Sequence, residues 1–180
     1  ETAGRESKTE PLSFSALIRD CLNAYDDLFC QRNLRLMTTD TTEPLWVSGN
    51  RSQLEKAVRN ILSNTAFYSP EGGETRVAVC AGAAVGFHGE QALLTVENTG
   101  VRIPEGALPH LFEAFYRADT SRNRQSGGSG LGLYLVKMIL DRHKGSCQIA
   151  NTGEGVMVQI ELPLCSAPGP LPQHSKIPPS

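Results

Sequence analysis

The chain of 180 residues holds no apolar run near the roughly 18 residues that cross a bilayer. The best candidate, Leu131 to Leu140, is interrupted by Gly132 and Lys137. There is no basic excess either. Lys plus Arg number 17 against 19 Asp plus Glu, a net charge of −2, which argues against a nucleic-acid partner. No two of the five cysteines, Cys21, Cys30, Cys80, Cys147 and Cys165, have C-x-x-C spacing. Zinc and thioredoxin-type chemistry therefore find no motif, and the odd count reads as reduced thiols. No signal-peptide pattern stands at the N-terminus. The chain opens on Glu1 rather than Met, as expected of a piece of a longer protein. No internal repeat occurs. Histidines are few: His88, His110, His143 and His174, each read as a surface or loop residue.

What is present is an ordinary globular composition, 39% apolar and 20% charged. Residues 1–10 are polar and read as a linker. Six of the eleven prolines fall in 163–180, so residues 164–180 read as a disordered tail. The expected domain is residues 11–163. Apolar spacing of three and four predicts helices over Leu12 to Gln31, Ser52 to Phe67 and Gly130 to His143. A fourth is expected over Pro104 to Tyr116, with Pro near its start. Short strands are expected at Leu34 to Met37 and Leu45 to Val47, and alternating ones at Thr75 to Ala81 and Ala92 to Asn98. Gly145 to Ala150 and Val156 to Leu162 form a terminal hairpin. The order implies an α+β sandwich, a mixed sheet covered on one face by helices.

Three constellations carry chemistry. In Asn60-x-x-x-Asn64-x-x-x-Tyr68, residues four apart share one side of a helix, beside its apolar face. A neutral amide oxygen there suits Mg²⁺, which takes oxygen ligands and keeps several waters. The Tyr68 ring suits a base. In Glu97-Asn98-Thr99-Gly100-Val101-Arg102-Ile103-Pro104, a strand ends on a polar side chain that can read a base edge. Gly100 then permits close backbone approach. Gly127-Gly128-Ser129-Gly130-Leu131-Gly132-Leu133 opens a helix, where free N–H groups form a phosphate cradle. It is no Walker loop, because Leu133 rather than Lys follows Gly132. A polar stretch rather than a strand precedes it, so it is no Rossmann fingerprint. His-Arg-Asp and Asp-Phe-Gly are both absent, which excludes a protein-kinase fold of that type.

Together and in this order, the motifs resemble the catalytic ATP-binding domain of bacterial sensor histidine kinases, within the gyrase, Hsp90, histidine kinase and MutL superfamily. Leu54 to Ser69 is similar to the N box, Val96 to Pro104 to the G1 box, Leu111 to Arg117 to the F box and Gly128 to Leu133 to the G2 box. The resemblance implies a two-layer Bergerat fold with a mobile ATP lid at Ala118 to Ser126. It implies that Asn64 ligates Mg²⁺, that Tyr68 and Ile103 line the adenine pocket, and that Asn98 accepts from the adenine amino group. Gly100 matches the first G1 glycine. Gly128, Ser129, Gly130, Leu131, Gly132 and Leu133 would flank the phosphates; Arg122 and Arg124 read either as reaching phosphate from the lid or as a solvated charge run.

Three positions depart from the family pattern: Asn98 replaces Asp, Arg102 replaces a second glycine, and Phe67 replaces a basic residue. Weaker ATP binding is expected. The ATP-hydrolysing relatives place a Glu general base where Asn60 stands, and a neutral amide cannot take a proton. With Asn60 and Asn64 at the catalytic positions, the resemblance implies slow hydrolysis and transfer to histidine, already nucleophilic as neutral imidazole. No histidine here has the family's acceptor setting. The implied partners are thus a separate histidine phosphoacceptor domain and, indirectly, a response regulator. No nucleic-acid partner and no membrane contact by this piece are expected, and its implied place is the cytoplasmic part of a membrane-anchored kinase. Other readings are a nucleotide-binding module without transfer activity and a fragment of a related ATPase. Glu97 to Gly100 and Ser121 to Tyr134 look similar to VanS-type sensors.

Overall fold

The computed structural model describes residues 9–83, 89–117 and 130–169. Seven strands and three α-helices follow in order: β1 (Glu10–Ser13), α1 (Phe14–Gln31), β2 (Arg35–Thr39), β3 (Trp46–Gly49), α2 (Arg51–Tyr68), β4 (Glu74–Ala83), β5 (Glu90–Thr99), α3 (Gly132–Arg142), β6 (Ser146–Asn151) and β7 (Gly155–Pro163). A five-stranded sheet runs β2-β4-β5-β7-β6, and β1 and β3 make a separate antiparallel pair. β2 and β4 are parallel. That pairing demands a long crossover, which contains β3 and α2. The remaining pairs are antiparallel.

Alternation along the strands sends Val77 and Val79, Leu94 and Val96, and Ile160 and Leu162 to one face. There they meet Leu17 and Ile18 of α1, Leu54, Val58, Ile61 and Leu62 of α2, and Val136, Ile139 and Leu140 of α3. Each such side chain contributes about 1.5–3 kcal/mol of burial. Ser13 caps α1, its Oγ accepting from Ala16 N–H at 3.3 Å. Asn50 caps α2, its Oδ1 accepting from Gln53 N–H at 3.0 Å. These caps satisfy N–H groups that a helix start leaves unpaired.

Two expectations fail. Pro104 to Tyr116 is no α-helix; it holds one 3₁₀ turn, Leu108–His110, among irregular turns. Leu108, Leu111, Phe112 and Phe115 mimic helical spacing, but Pro109 lacks an N–H and would clash with the preceding turn. Phe115 takes φ +67°, which ends any helix there. His143 is no surface residue. It is buried at the end of α3, where its Nδ1–H donates to Ile139 O at 2.7 Å and its Nε2 accepts from Asn50 N–H at 3.0 Å. This bonding fixes the tautomer and ties the end of α3 to the start of α2. His110 is exposed and bonds Glu113. His88 and His174 lie outside the described residues, as do residues 1–8 of the expected linker and residues 170–180 of the expected tail.

Candidate functional site

The Asn60-Asn64-Tyr68 stripe lies on α2. Asn60 and Asn64 are half-buried and Tyr68 is exposed. α2 packs against α3, and the contact is close at Gly132. A Cβ there would come within 3.0 Å of Asn60 Oδ1 and 4.0 Å of Asn64 Nδ2. The two amides therefore stand against the N-terminus of α3. Its N-cap residue, Leu131, makes no side-chain cap bond, and no other described residue is seen to supply one. The start of a helix carries unpaired N–H groups and the positive end of the dipole, which favours an anion. Asn60 Nδ2 donates to Lys56 O at 2.8 Å, leaving its oxygen toward Gly132. Among the described residues no group of three His, Cys, Asp or Glu converges on a point, so a cation at this site would rest on neutral oxygens and on a ligand's own charges.

Asn98 ends the buried row of β5 and is only 7% exposed. Its Nδ2 donates to Thr65 O at 3.2 Å and to Ser69 Oγ at 3.0 Å. The β5 strand end is thus anchored to the last turn of α2. Gly100 follows with φ +75°, its N–H donating to Glu154 O at 2.9 Å. A side chain at that φ is strained, while its Cβ would only touch the Pro70 ring at 3.4 Å. Arg102, in place of the family's second glycine, does not have positive φ. The turn tolerates it, and its guanidinium pairs with Glu105 at 2.7 Å on the surface. Ile103 is held by Asn151, which accepts its N–H at 2.9 Å and donates to its carbonyl at 2.8 Å.

Phe67, in place of a basic residue, is exposed and packs edge-on against Tyr68, ring centroids 4.9 Å apart. Arg32, at the end of α1, reaches over to Phe67 O and Ser69 O at 3.4 and 3.2 Å. It places a cation at the carbonyl end of α2, where the dipole is negative. Gly130 has φ +70°, and a Cβ on it would lie 2.8 Å from the Phe115 carbonyl carbon. Phe115 N–H donates to Gly130 O at 3.0 Å. The F-box and G2-box segments are thereby paired. Leu131 and Leu133 are half-buried, Leu133 against the core. Gly128, Ser129, the expected lid at Ala118 to Ser126, Arg122 and Arg124 lie outside the described residues.

The structure thus brings Asn60 and Asn64 to Gly132, and Asn98 to the far end of the same helix. It adds four residues that sequence reasoning missed: Thr65 and Ser69 beneath Asn98, Asn151 behind Ile103 and Arg32 over the end of α2. Ser69 stood in plain view before Pro70, but its partner is 29 residues away. A surface groove of about 430 Å³ along α1 and α2 contains Asn60 but none of the other motif residues. A second, of about 350 Å³ beside β2, contains none of them.

Burial raises three thiols, Cys165 among them and two others strongly. Cys21, packed within α1, is pushed up to about 11 by desolvation first and by Glu55 next. Cys147 on β6 is pushed up to about 12 by desolvation and then by Glu161. Both stay protonated and unreactive near neutral pH. All five cysteines are free.

Residues 49–166 match the family described as histidine kinase-, DNA gyrase B-, and HSP90-like ATPase. Among similar proteins, the sensor histidine kinase RppB of Synechocystis is 31% identical over 84% of this chain and 32% of its own length. The sensor protein VanSB of Enterococcus faecalis is 35% identical over 86% of this chain and 33% of its own. The sensor histidine kinase CusS of Escherichia coli is 41% identical over 65% of this chain. The chain spans about a third of the length of the first two. Among solved structures, the nucleotide-free catalytic domain of histidine kinase ThkA superposes with a TM-score of 0.73 at 22% identity, covering 87% of this chain and 95% of that one. The mycobacterial sensor histidine kinase MprB does so with a TM-score of 0.69 at 28% identity, covering 87% and 97%.

Proposed function

Since the chain belongs to the histidine kinase-, DNA gyrase B-, and HSP90-like ATPase family, we propose that it binds Mg·ATP and directs the γ-phosphoryl group to a histidine on a separate phosphoacceptor domain. The observation that carries this reading is the meeting of Asn60 and Asn64 with the N-terminus of α3, which Leu131 at its N-cap leaves without a side-chain cap. Free N–H groups there suit the phosphates, and glycine at 132 keeps side-chain atoms out of their way. Mg²⁺ commonly takes one or two protein oxygens and leaves the rest of its shell to phosphate and water. Asn64 fits that demand, because its side chain is half-buried and no described residue hydrogen-bonds it. When bound, the ion would neutralise phosphate charge.

Asn60 supports transfer over hydrolysis. Its amide takes no proton and is held by Lys56 O, so no base stands at that position to activate water. An imidazole acceptor does not need that base. Asn98 would accept from the 6-amino group of adenine, Tyr68 and Ile103 would flank the ring, and Gly100 would let backbone approach it. Gly128, Ser129, Gly130, Leu131 and Leu133 join Gly132 in this reading as the phosphate-side segment. The partner would be the acceptor domain of the same kinase, acting in turn on a response regulator. The kinase ThkA has been solved with its response regulator TrrA, which supports a two-component setting. A cell-envelope or glycopeptide signal enters this reading only through the likeness to VanS-type sensors; CusS and a phosphate regulon sensor of Pseudomonas aeruginosa are similar as well.

The test is incubation of the chain with γ-labelled ATP, Mg²⁺ and a histidine acceptor domain from a similar sensor kinase. Label should move to the acceptor as an acid-labile, alkali-stable phosphoramidate, and excess chelator should stop it. Rapid phosphate release without an acceptor would overturn the transfer reading.

A further inference from the structure

We propose that Ser69 is a positioning residue that fixes the Asn98 amide with its oxygen outward, making the site select 6-amino over 6-oxo purine nucleotides. This rests on the reading of Asn98 as the base-contacting residue. The two ends of an amide have nearly the same shape and opposite hydrogen-bonding sense. An Asn at a base-reading position could present either end. A 6-amino purine needs an acceptor, and a 6-oxo purine needs a donor.

The interior decides between them. Ser69 Oγ has one proton, and it donates that proton to Thr65 O at 2.7 Å. Its lone pairs then face Asn98 at 3.0 Å. Thr65 O lies 3.2 Å from the same amide atom. Both neighbours at that end are acceptors, so the atom between them is Nδ2. Turned over, Oδ1 would face two oxygens in a site only 7% exposed. No described residue donates to Oδ1, which is left for a ligand. The arrangement explains how a neutral amide can serve here. A carboxylate at 98 would press one oxygen on Thr65 O, a backbone group that cannot turn to donate. Ser69 is buried, at 3% exposure, and does not read the base itself.

The experiment uses the 180-residue chain with ATP and inosine triphosphate, each with Mg²⁺, by calorimetry. Wild type should bind ATP about tenfold more tightly, the scale of one satisfied against one opposed hydrogen bond. Ser69→Ala should narrow that ratio about threefold or more, and Ser69→Thr, which keeps a hydroxyl, should restore it. In ¹⁵N spectra the Asn98 side-chain amide, identified by its loss in Asn98→Asp, should exchange slowly with solvent before any nucleotide is added. Ser69→Ala should shift it and speed its exchange. An unchanged ATP-to-inosine ratio in Ser69→Ala, with wild type discriminating, would overturn the positioning role alone. Equal binding of both nucleotides by wild type would instead overturn the reading of Asn98. An amide that exchanges as fast as an exposed one overturns the inward nitrogen whatever the affinities.

Discussion

His143 accepts the Asn50 N–H through Nε2 at 3.0 Å, so one ring joins the last turn of α3 to the cap of α2. The ring is buried, and its other nitrogen holds Ile139 O. His143→Ala would orphan a partly buried N–H. A loss of about 1–3 kcal/mol is expected, read as a lower urea midpoint with an unchanged slope. An unfolding free energy unchanged on the ~±0.5 kcal/mol scale of neutral surface substitutions would remove the latch.

Gly130 and Gly132 should respond differently to alanine. At Gly130 the φ of +70° and the Phe115 backbone 2.8 Å from a Cβ leave no room to adjust. Gly130→Ala should cost about 1–3 kcal/mol. At Gly132 the nearest atom is the movable Asn60 oxygen at 3.0 Å. Helix propensity gains up to about 1 kcal/mol there. Gly132→Ala should therefore keep stability and weaken ATP binding. Calorimetry beside urea melts separates the two, and equal ATP affinity in Gly132→Ala would argue against phosphates at this terminus.

Asn64→Ala should lower Mg·ATP affinity about tenfold, near the effect of deleting a metal-site group. Asn64→Asp should retain most of it. The measurement is an ATP titration with and without Mg²⁺. Loss of the same size without the ion would reassign Asn64 to packing.

The raised thiols set an alkaline limit. Free Cys ionises near 9 in the unfolded chain, whereas Cys21 and Cys147 hold their protons to about 11 and about 12 when folded. Between those values the unfolded state carries fewer protons, so stability falls as pH rises. The urea midpoint should decline from about pH 9 upward, and Cys147→Ala should flatten the decline. A thiol reagent at pH 8 should modify exposed Cys30 and Cys80 while sparing Cys21 and Cys147, counted by mass spectrometry.

Much of this frame was legible in the sequence because it is periodic. The spacing of Leu54, Val58, Ile61 and Leu62 predicts α2, and alternation from Val77 and Leu94 predicts the central strands. Their ends moved by a residue or three. β1 escaped notice because four residues with Pro11 at an edge carry no pattern. The expected helix at Pro104 to Tyr116 shows the opposite error, since apolar spacing survives where Pro109 forbids the conformation. The candidate site positions were legible only as motifs. Their supports were not, because Ser69, Asn151 and Arg32 act on partners 29, 48 and 35–37 residues away.

The pairing of Phe115 with Gly130 couples two stretches of chain that no sheet joins. The Phe115 N–H to Gly130 O bond and the glycine's own geometry hold the F-box segment against the residue that leads into α3. Two residues of positive φ meet there, Phe115 at +67° and Gly130 at +70°. Displacing either backbone would break that bond and disturb the start of α3, so the two positions act as one joint.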